Sequence, residues 1–239
     1  MKKLSIIIPC YNESQTIEEL LGRVEDAILL PEWEKEIVIV DDGSYDGTRE
    51  ILKEYAGRMK VVFQPQNEGK GSAVRRGIKE ASGDYVLIQD ADLEYNPGEI
   101  SDLITALEEG KGDIIYGSRN LGKHKRSGFL IPRLGVWTIT RLLNTLYGTS
   151  LTDAWTCYKL FPRHAAGDFQ AGRFESELLF TAMMARRGLK IAEVPISHDP
   201  RPVGKGKKIR YRDGIQAIFK LTRDRFKPLP PADEDTFLA

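Results

Sequence analysis

The chain has 239 residues, 41% of them hydrophobic, which suits one large domain with a real core. Its 35 Lys and Arg balance 35 Asp and Glu, so it lacks the basic surplus of a general nucleic-acid binder. Two distant cysteines, Cys10 and Cys157, and three histidines exclude a disulfide framework and a histidine-bound zinc site, and point to a reducing, cytoplasmic setting.

The first apolar run, "LSIII" at 4–8, reads as a buried strand. It is shorter than the roughly 7–15 residues of a signal-peptide core. Asn12 or Ser14 is placed to cap the helix that follows, with Ile17, Leu20, Leu21 and Val24 at helical spacing. "EIVIVDDGSYDGT" is a second strand ending in acids and a turn, and "TREILKEYA" a helix. "KVVFQ" is a third strand, and "PQNEGKGSAVRRGIKEA" a glycine-broken loop running into a helix. "DYVLIQDAD" is the fourth strand, "PGEISDLITALEEG" a helix with Pro97 near its start, and "DIIYGSR" the fifth strand.

Apolar strands alternating with helices predict an α/β fold, a mostly parallel central sheet covered on both faces. Ligands of such sheets bind beyond the carboxyl ends of the strands. There this chain places "PCYNE", "DDGS", "DAD" and "GSR". Further on, "YKLFP" and "IAEVPIS" are predicted short strands and "RFESELLFTAMMARRGL" a helix. The tail from 228 to 239, rich in Pro and acids, is expected to be disordered. No stretch reaches the roughly 18 apolar residues of a spanning helix, so the chain is expected to be soluble or to lie on a membrane without crossing it.

Asp90 and Asp92 follow the fourth strand one residue apart, with Glu94 two further on. Residues two apart on a strand point the same way, so the two carboxylates can converge. A hard divalent cation, Mg²⁺ or Mn²⁺, would offset their repulsion; helix caps or a solvated loop are the plainer alternative. Asp42 is either a turn residue bonding its own backbone or an acceptor for a base or ribose. "NEGKGSAVRRGI" lacks P-loop spacing, but Gly69 and Gly71 permit close backbone approach and Lys70 could meet a phosphate.

Taken together, "IIIPCYNE", "VDDGSYDGT", "NEGKGSAVRRGI", "DADLEY" and "YGSR" resemble the family 2 glycosyltransferases of GT-A fold. "LTDAWTCYKLF", "FESELL", "EVPISHDPR" and "GKGKKI" narrow the resemblance to the dolichyl-phosphate mannose synthases and related polyprenyl-phosphate sugar transferases, over roughly 4–210. The resemblance implies a GT-A domain over 1–210, with a nucleotide-sugar half to about 120 and an acceptor half after it. It places Pro9, Tyr11, Glu13, Val40 and Asp42 at the nucleotide, and Asp90, Ala91 and Asp92 at the metal and diphosphate. Arg119 falls near the phosphates, and Arg201 with Lys207 in the basic pair over the diphosphate. The mannose synthases often carry Gln or Ser where this chain has Glu94; that acid could be a third metal ligand, and it leaves the donor sugar open.

The implied reaction is inverting transfer of a hexose from a GDP- or UDP-sugar to polyprenyl phosphate, at the cytosolic membrane face. A phosphate acceptor needs no general base, because its second pKa lies near 6. A hydroxyl of a glycan or protein, the alternative acceptor, needs one. Asp153, Glu175 and Glu177 are the candidates, or else structural acids. A non-catalytic nucleotide-sugar-binding subunit is the reading of another class. Ile215, Ile218, Phe219, Thr222 and Phe226 lie at helical spacing among bases in 211–227, a basic amphipathic helix for a membrane surface or for the domain's own core. Phe129, Trp137 and Tyr147 with Arg133 and Arg141 could shape an apolar, basic-rimmed groove for a lipid phosphate.

Overall fold

The computed structural model describes residues 1–122, 130–172, 175–200 and 211–229. Arg201, Lys207 and Phe129 lie outside these, as does nearly all of the predicted disordered tail.

The first half follows the predicted alternation. Its strands are β1 (Lys2–Cys10), β2 (Trp33–Asp41), β3 (Lys60–Phe63), β4 (Tyr85–Ile88) and β5 (Ile114–Ser118). Between them run α1 (Ile17–Asp26), α2 (Thr48–Tyr55), α3 (Lys70–Glu80) and α4 (Ile100–Glu108). The second half supplies α5 (Leu130–Tyr147), β6 (Lys159–Pro162), α6 (Glu175–Arg186), β7 (Ile191–Pro195) and α7 (Tyr211–Arg225).

All seven strands share one sheet, ordered β3-β2-β1-β4-β6-β5-β7. β1 pairs in parallel with β2 and β4, β2 with β3, and β5 with β7. The exception is β6, which is antiparallel to both β4 and β5. A strand from the second half is therefore threaded between two strands of the first.

Alternation along each strand divides the core into two layers. Ile7, Val38, Val86 and Ile88 face α3 and α6, packing with Val74, Ile78 and Phe180. Ile6, Ile8, Ile39 and Leu87 face α1 and α4, packing with Leu20, Leu21, Leu103 and Ile104. Burial on both faces is why these strands read as continuous apolar runs.

Neither Asn12 nor Ser14 caps α1; the residue at that position is Thr16, whose hydroxyl donates instead to the Ala91 carbonyl at 2.8 Å. Asn12 takes a left-handed backbone, φ 54°, which Asn tolerates, and its side chain accepts from Tyr45 N at 3.0 Å. The loop after β1 is thus tied to the loop after β2. Pro97 does stand near the start of α4, in a 3₁₀ turn (Pro97–Glu99) that leads into it, and Asn96 caps that turn by accepting from Gly98 N at 3.0 Å.

Candidate active site

The order β2-β1-β4 places a switch point at β1, because the chain leaves it toward β2 and comes back on the other side as β4. Crevices of this kind lie beyond the strands' carboxyl ends. Here β1 delivers Tyr11, β2 delivers Asp42, and β4 delivers Asp90 and Asp92.

Asp42 is buried, and its carboxylate neither bonds its own turn nor faces outward. Oδ1 accepts from Gln64 Nε2 at 2.9 Å and Glu68 N at 2.8 Å; Oδ2 accepts from Asn67 Nδ2 and Gly69 N, both at 2.9 Å. Four donors fix the glycine-rich segment that opens α3. Asp41 takes the turn role instead, accepting from Ser44 N at 3.2 Å and pairing with Arg49 at 3.1 Å.

Lys70, first residue of α3, reaches across the crevice. Its ammonium lies 2.5 Å from Asp90 Oδ1 and 2.8 Å from Glu177 Oε1. Burial alone would lower its hold on the proton, but the facing carboxylates, Asp90 foremost, keep it well above the ordinary lysine value. Glu177 Oε2 is 3.6 Å from the ammonium of Lys159 on β6. Lys159 is fully buried, donates to the Thr156 carbonyl, and sits 4.5 Å from the Tyr116 ring centre. Burial pushes its pKa down against the pull of Glu177.

Past Asp90, Asp92 Oδ1 accepts from Glu94 N at 3.2 Å around Leu93, held at φ 63°. A bulky residue there is strained, a feature that clusters at ligand-binding turns. Glu94 engages the segment after β7: its carboxylate is 3.1 Å from His198 Nε2, and its carbonyl accepts from Asp199 N at 3.0 Å. Tyr95 stacks on Tyr158 with centroids 5.4 Å apart, next to His198. These contacts tie the segment after β7 to the segment after β4.

Arg119 is committed to Asp153. Its Nε and Nη2 donate to the two carboxylate oxygens at 2.6 and 2.7 Å, and its backbone N adds a third bond at 3.1 Å. Burial would raise the Asp153 pKa, yet Arg119 outweighs it and holds the carboxyl below the usual range. Glu175 pairs with Lys220 at 2.6 Å. All three acids considered as bases are therefore buried in ion pairs.

The profile of glycosyl transferase family 2 matches residues 5–169. This chain belongs to that family. A dolichol-phosphate mannosyltransferase of Pyrococcus furiosus is 45% identical over 119 residues, 49% of this chain and 33% of the relative. An undecaprenyl-phosphate 4-deoxy-4-formamido-L-arabinose transferase of Klebsiella pneumoniae is 28% identical over 211 residues, 87% of this chain and 63% of the relative. The chain thus spans between a third and under two thirds of the length of these curated relatives. Among solved structures, glucosyl-3-phosphoglycerate synthase from Mycobacterium tuberculosis, crystallised with Mn²⁺ and UDP-glucose, aligns with TM-score 0.70 at 21% identity, over 94% of this chain and 79% of that one. S. aureus TarS with UDP-GlcNAc aligns with TM-score 0.65 at 21% identity, over 99% of this chain and 70% of that one. The architecture is the GT-A fold of these glycosyltransferases.

Of the residues expected at a nucleotide, Tyr11 meets the exposed Tyr45 edge to face at 6.1 Å. Pro9 and Val40 pair across β1 and β2, and both are buried. Glu13 is buried and accepts from Thr16 Oγ1 at 3.1 Å, and Ala91 is buried beside it. Among the described residues no three His, Cys, Asp or Glu side chains gather into a metal-type cluster, so Glu94 does not join Asp90 and Asp92 in one. Two hard carboxylates nonetheless fit Mg²⁺ or Mn²⁺, which take one or two and complete their shell with water and phosphate.

The sequence reading missed Lys159, Tyr95, His198, Gln64 and Asn67. A lysine inside the apolar run "YKLF" was the available signal, since a buried lysine demands a buried acid. No signal marked the others, which meet only through the tertiary fold.

Two helices carry outward apolar faces. α7 docks through Ala217 and Leu221 and is tied down by Tyr147 Oη donating to the Leu221 carbonyl at 2.7 Å and Arg225 Nε to the Leu146 carbonyl at 2.7 Å. Its stripe therefore points out: Phe219 is 64% and Phe226 80% exposed, Ile218 and Thr222 are exposed beside them, and Arg223 lies 5.8 Å from the Phe219 ring. On α5, Trp137 is 56% exposed with Arg141 5.5 Å from its ring. Of the residues expected to shape a groove, Tyr147 turns inward while Trp137 and Arg141 lie on the outward side of α5; Phe129 and the Arg133 side chain lie outside the described residues. No helix among the described residues is long and apolar enough to cross a membrane.

Proposed function

We propose that this chain is a metal-dependent, inverting glycosyltransferase that moves a hexose from a GDP- or UDP-linked sugar to a polyprenyl phosphate at the cytosolic membrane face. The observation that carries the choice of acceptor is the state of the candidate bases. Asp153, Glu175 and Glu177 are each buried against a cation, so none is presented to deprotonate a hydroxyl. A phosphate monoester is largely dianionic at neutral pH and needs no base. Two of the curated relatives, a dolichol-phosphate mannosyltransferase and an undecaprenyl-phosphate sugar transferase, point the same way.

The donor reading rests on the crevice beyond β1 and β4. Tyr11 offers a partly open ring to a base, and the glycine-rich segment fixed by Asp42 brings backbone amides close to a diphosphate. Asp90 and Asp92 would hold the divalent cation, while the Glu94 carboxylate is engaged by His198. A bound cation supplies offset charge for the departing nucleotide diphosphate. Arg119 keeps a partly exposed guanidinium at the rim while Asp153 fixes its direction, a preorganised positive group beside the leaving phosphates. Arg201 and Lys207 are proposed to add to it.

The outward rings of Phe219 on α7 and Trp137 on α5, each with an arginine over its face, suit a membrane interface, where aromatic bodies enter and cations stay at the headgroups. The test is release of nucleotide diphosphate from a panel of GDP- and UDP-sugars with Mn²⁺ or Mg²⁺ and a short polyprenyl phosphate. Release that needs both metal and lipid phosphate supports the reading and names the donor. Metal-dependent donor binding with transfer only to hydroxyl acceptors would refute the acceptor assignment.

A further inference from the structure

We propose that Lys70 is a built-in counter-cation of Asp90, held in place by Glu177, and that this pair sets how tightly the site takes a divalent cation. The inference rests on the reading of Asp90 and Asp92 as metal carboxylates.

Three elements converge to build the arrangement. Lys70 opens α3, Asp90 follows β4, and Glu177 lies in the first turn of α6. The Lys70 ammonium sits between Asp90 at 2.5 Å and Glu177 at 2.8 Å, with its side chain 12% exposed. Its stem has little freedom. The starts of α3 and α6 touch so closely that a Cβ on Gly71 would lie 2.3 Å from Ser176 Oγ and 2.8 Å from the Gly172 carbonyl. Ser72 N also donates to the Gly172 carbonyl at 3.2 Å. Glu177 in turn is braced by Lys159 from the far side. The two lysines balance Glu177 and Asp90, which lets the four charges coexist in a poorly hydrated place.

A divalent cation on Asp90 arrives next to this ammonium. The repulsion between them raises the cost of binding the metal alone, and the charge of Glu177 offsets part of it. A diphosphate reverses the balance, since its charge suits the ammonium and the metal together. Lys70 therefore favours metal that comes with its nucleotide over metal alone. Glu177 is a positioning residue in this scheme, and the sign of its effect is opposite to that of Lys70.

The experiment measures Mn²⁺ affinity of the full chain without nucleotide, by the loss of the free-ion paramagnetic resonance signal. Circular dichroism and thermal melts verify folding. K70M is expected to bind Mn²⁺ about ten-fold tighter, E177Q several-fold weaker, and the double variant close to the parent. Adding UDP or GDP should tighten Mn²⁺ binding less in K70M than in the parent. K70Q and E177D replace either variant that loses its fold. Folded K70M with unchanged or weaker affinity, or both single variants shifting the same way, overturns the proposal while leaving a metal site that D90N abolishes. A parent chain that binds no Mn²⁺ but does bind nucleotide sugar overturns this inference and the metal assignment, and spares the donor reading.

Discussion

Replacing Asp153 with Asn tests whether this acid is structural or chemical. Asp153 is fully buried and takes three bonds from Arg119 at 2.6, 2.7 and 3.1 Å, while its own N–H donates to Glu193 at 2.9 Å. The carboxamide can accept at one position only, so one guanidinium bond is lost and the Arg119 charge is left without its counter-ion. Breaking a buried pair from one side costs about 3–5 kcal/mol. Arg119 keeps partial contact with water at the rim, so the lower end applies, about 3 kcal/mol. For a chain of this size each kcal/mol lowers Tm by roughly 2–4 °C, which gives about 6–12 °C. Differential scanning calorimetry of the two proteins measures it, with nucleotide-diphosphate release assayed well below both transitions. A Tm within a degree or two of the parent, together with loss of turnover, would show that Asp153 acts on substrate and would refute the structural assignment.

Acid should weaken the same pair. The Asp153 carboxyl is held below its unfolded value, so its contribution is present above the unfolded pKa and is lost as pH falls through the folded one. D153N should therefore differ most from the parent near neutral pH, with the gap in urea midpoint narrowing below about pH 4. Changing Phe219 and Phe226 together to Ala should weaken sedimentation with anionic vesicles about ten-fold or more, with Tm unchanged because both rings are exposed. Equal binding by the two proteins would mean that the face meets something other than lipid. Gly71→Ala drives a methyl into Ser176 and the Gly172 carbonyl; a loss of about 1–3 kcal/mol in urea unfolding is expected, and a neutral result would show that the two helix starts can part.

The first five strands were legible because each is an apolar run closed by turn residues. The position of β6 was not, because nothing local in "YKLFP" says that it inserts between β4 and β5 with opposite direction. The acids at the strand ends were equally plain, but their partners were not. Asp42 looked like a turn residue or a ribose acceptor and proves to organise residues 64–69; that partnership spans more than twenty positions of chain. The spacing on α7 revealed an amphipathic helix, yet not which side docks. Ala217 and Leu221 fit between α5 and α6, and the bulkier rings are left outside. α5 escaped notice as a helix because Pro132, Gly135 and a β-branched "TIT" dilute its pattern.

The threading of β6 has a consequence for how such a chain can be made and exchanged. Until residues 159–162 emerge, β4 has a partner on one side only and β5 has no place beside it. An open strand edge of that kind invites pairing with another chain. A fragment ending near residue 120 would then carry β4 with one edge unpaired and β5 without its place in the sheet. The two halves are mutually obligatory, so a graft between relatives must move β4, β5 and β6 as one unit. Synthesis must also run past that strand before the crevice can close around anything.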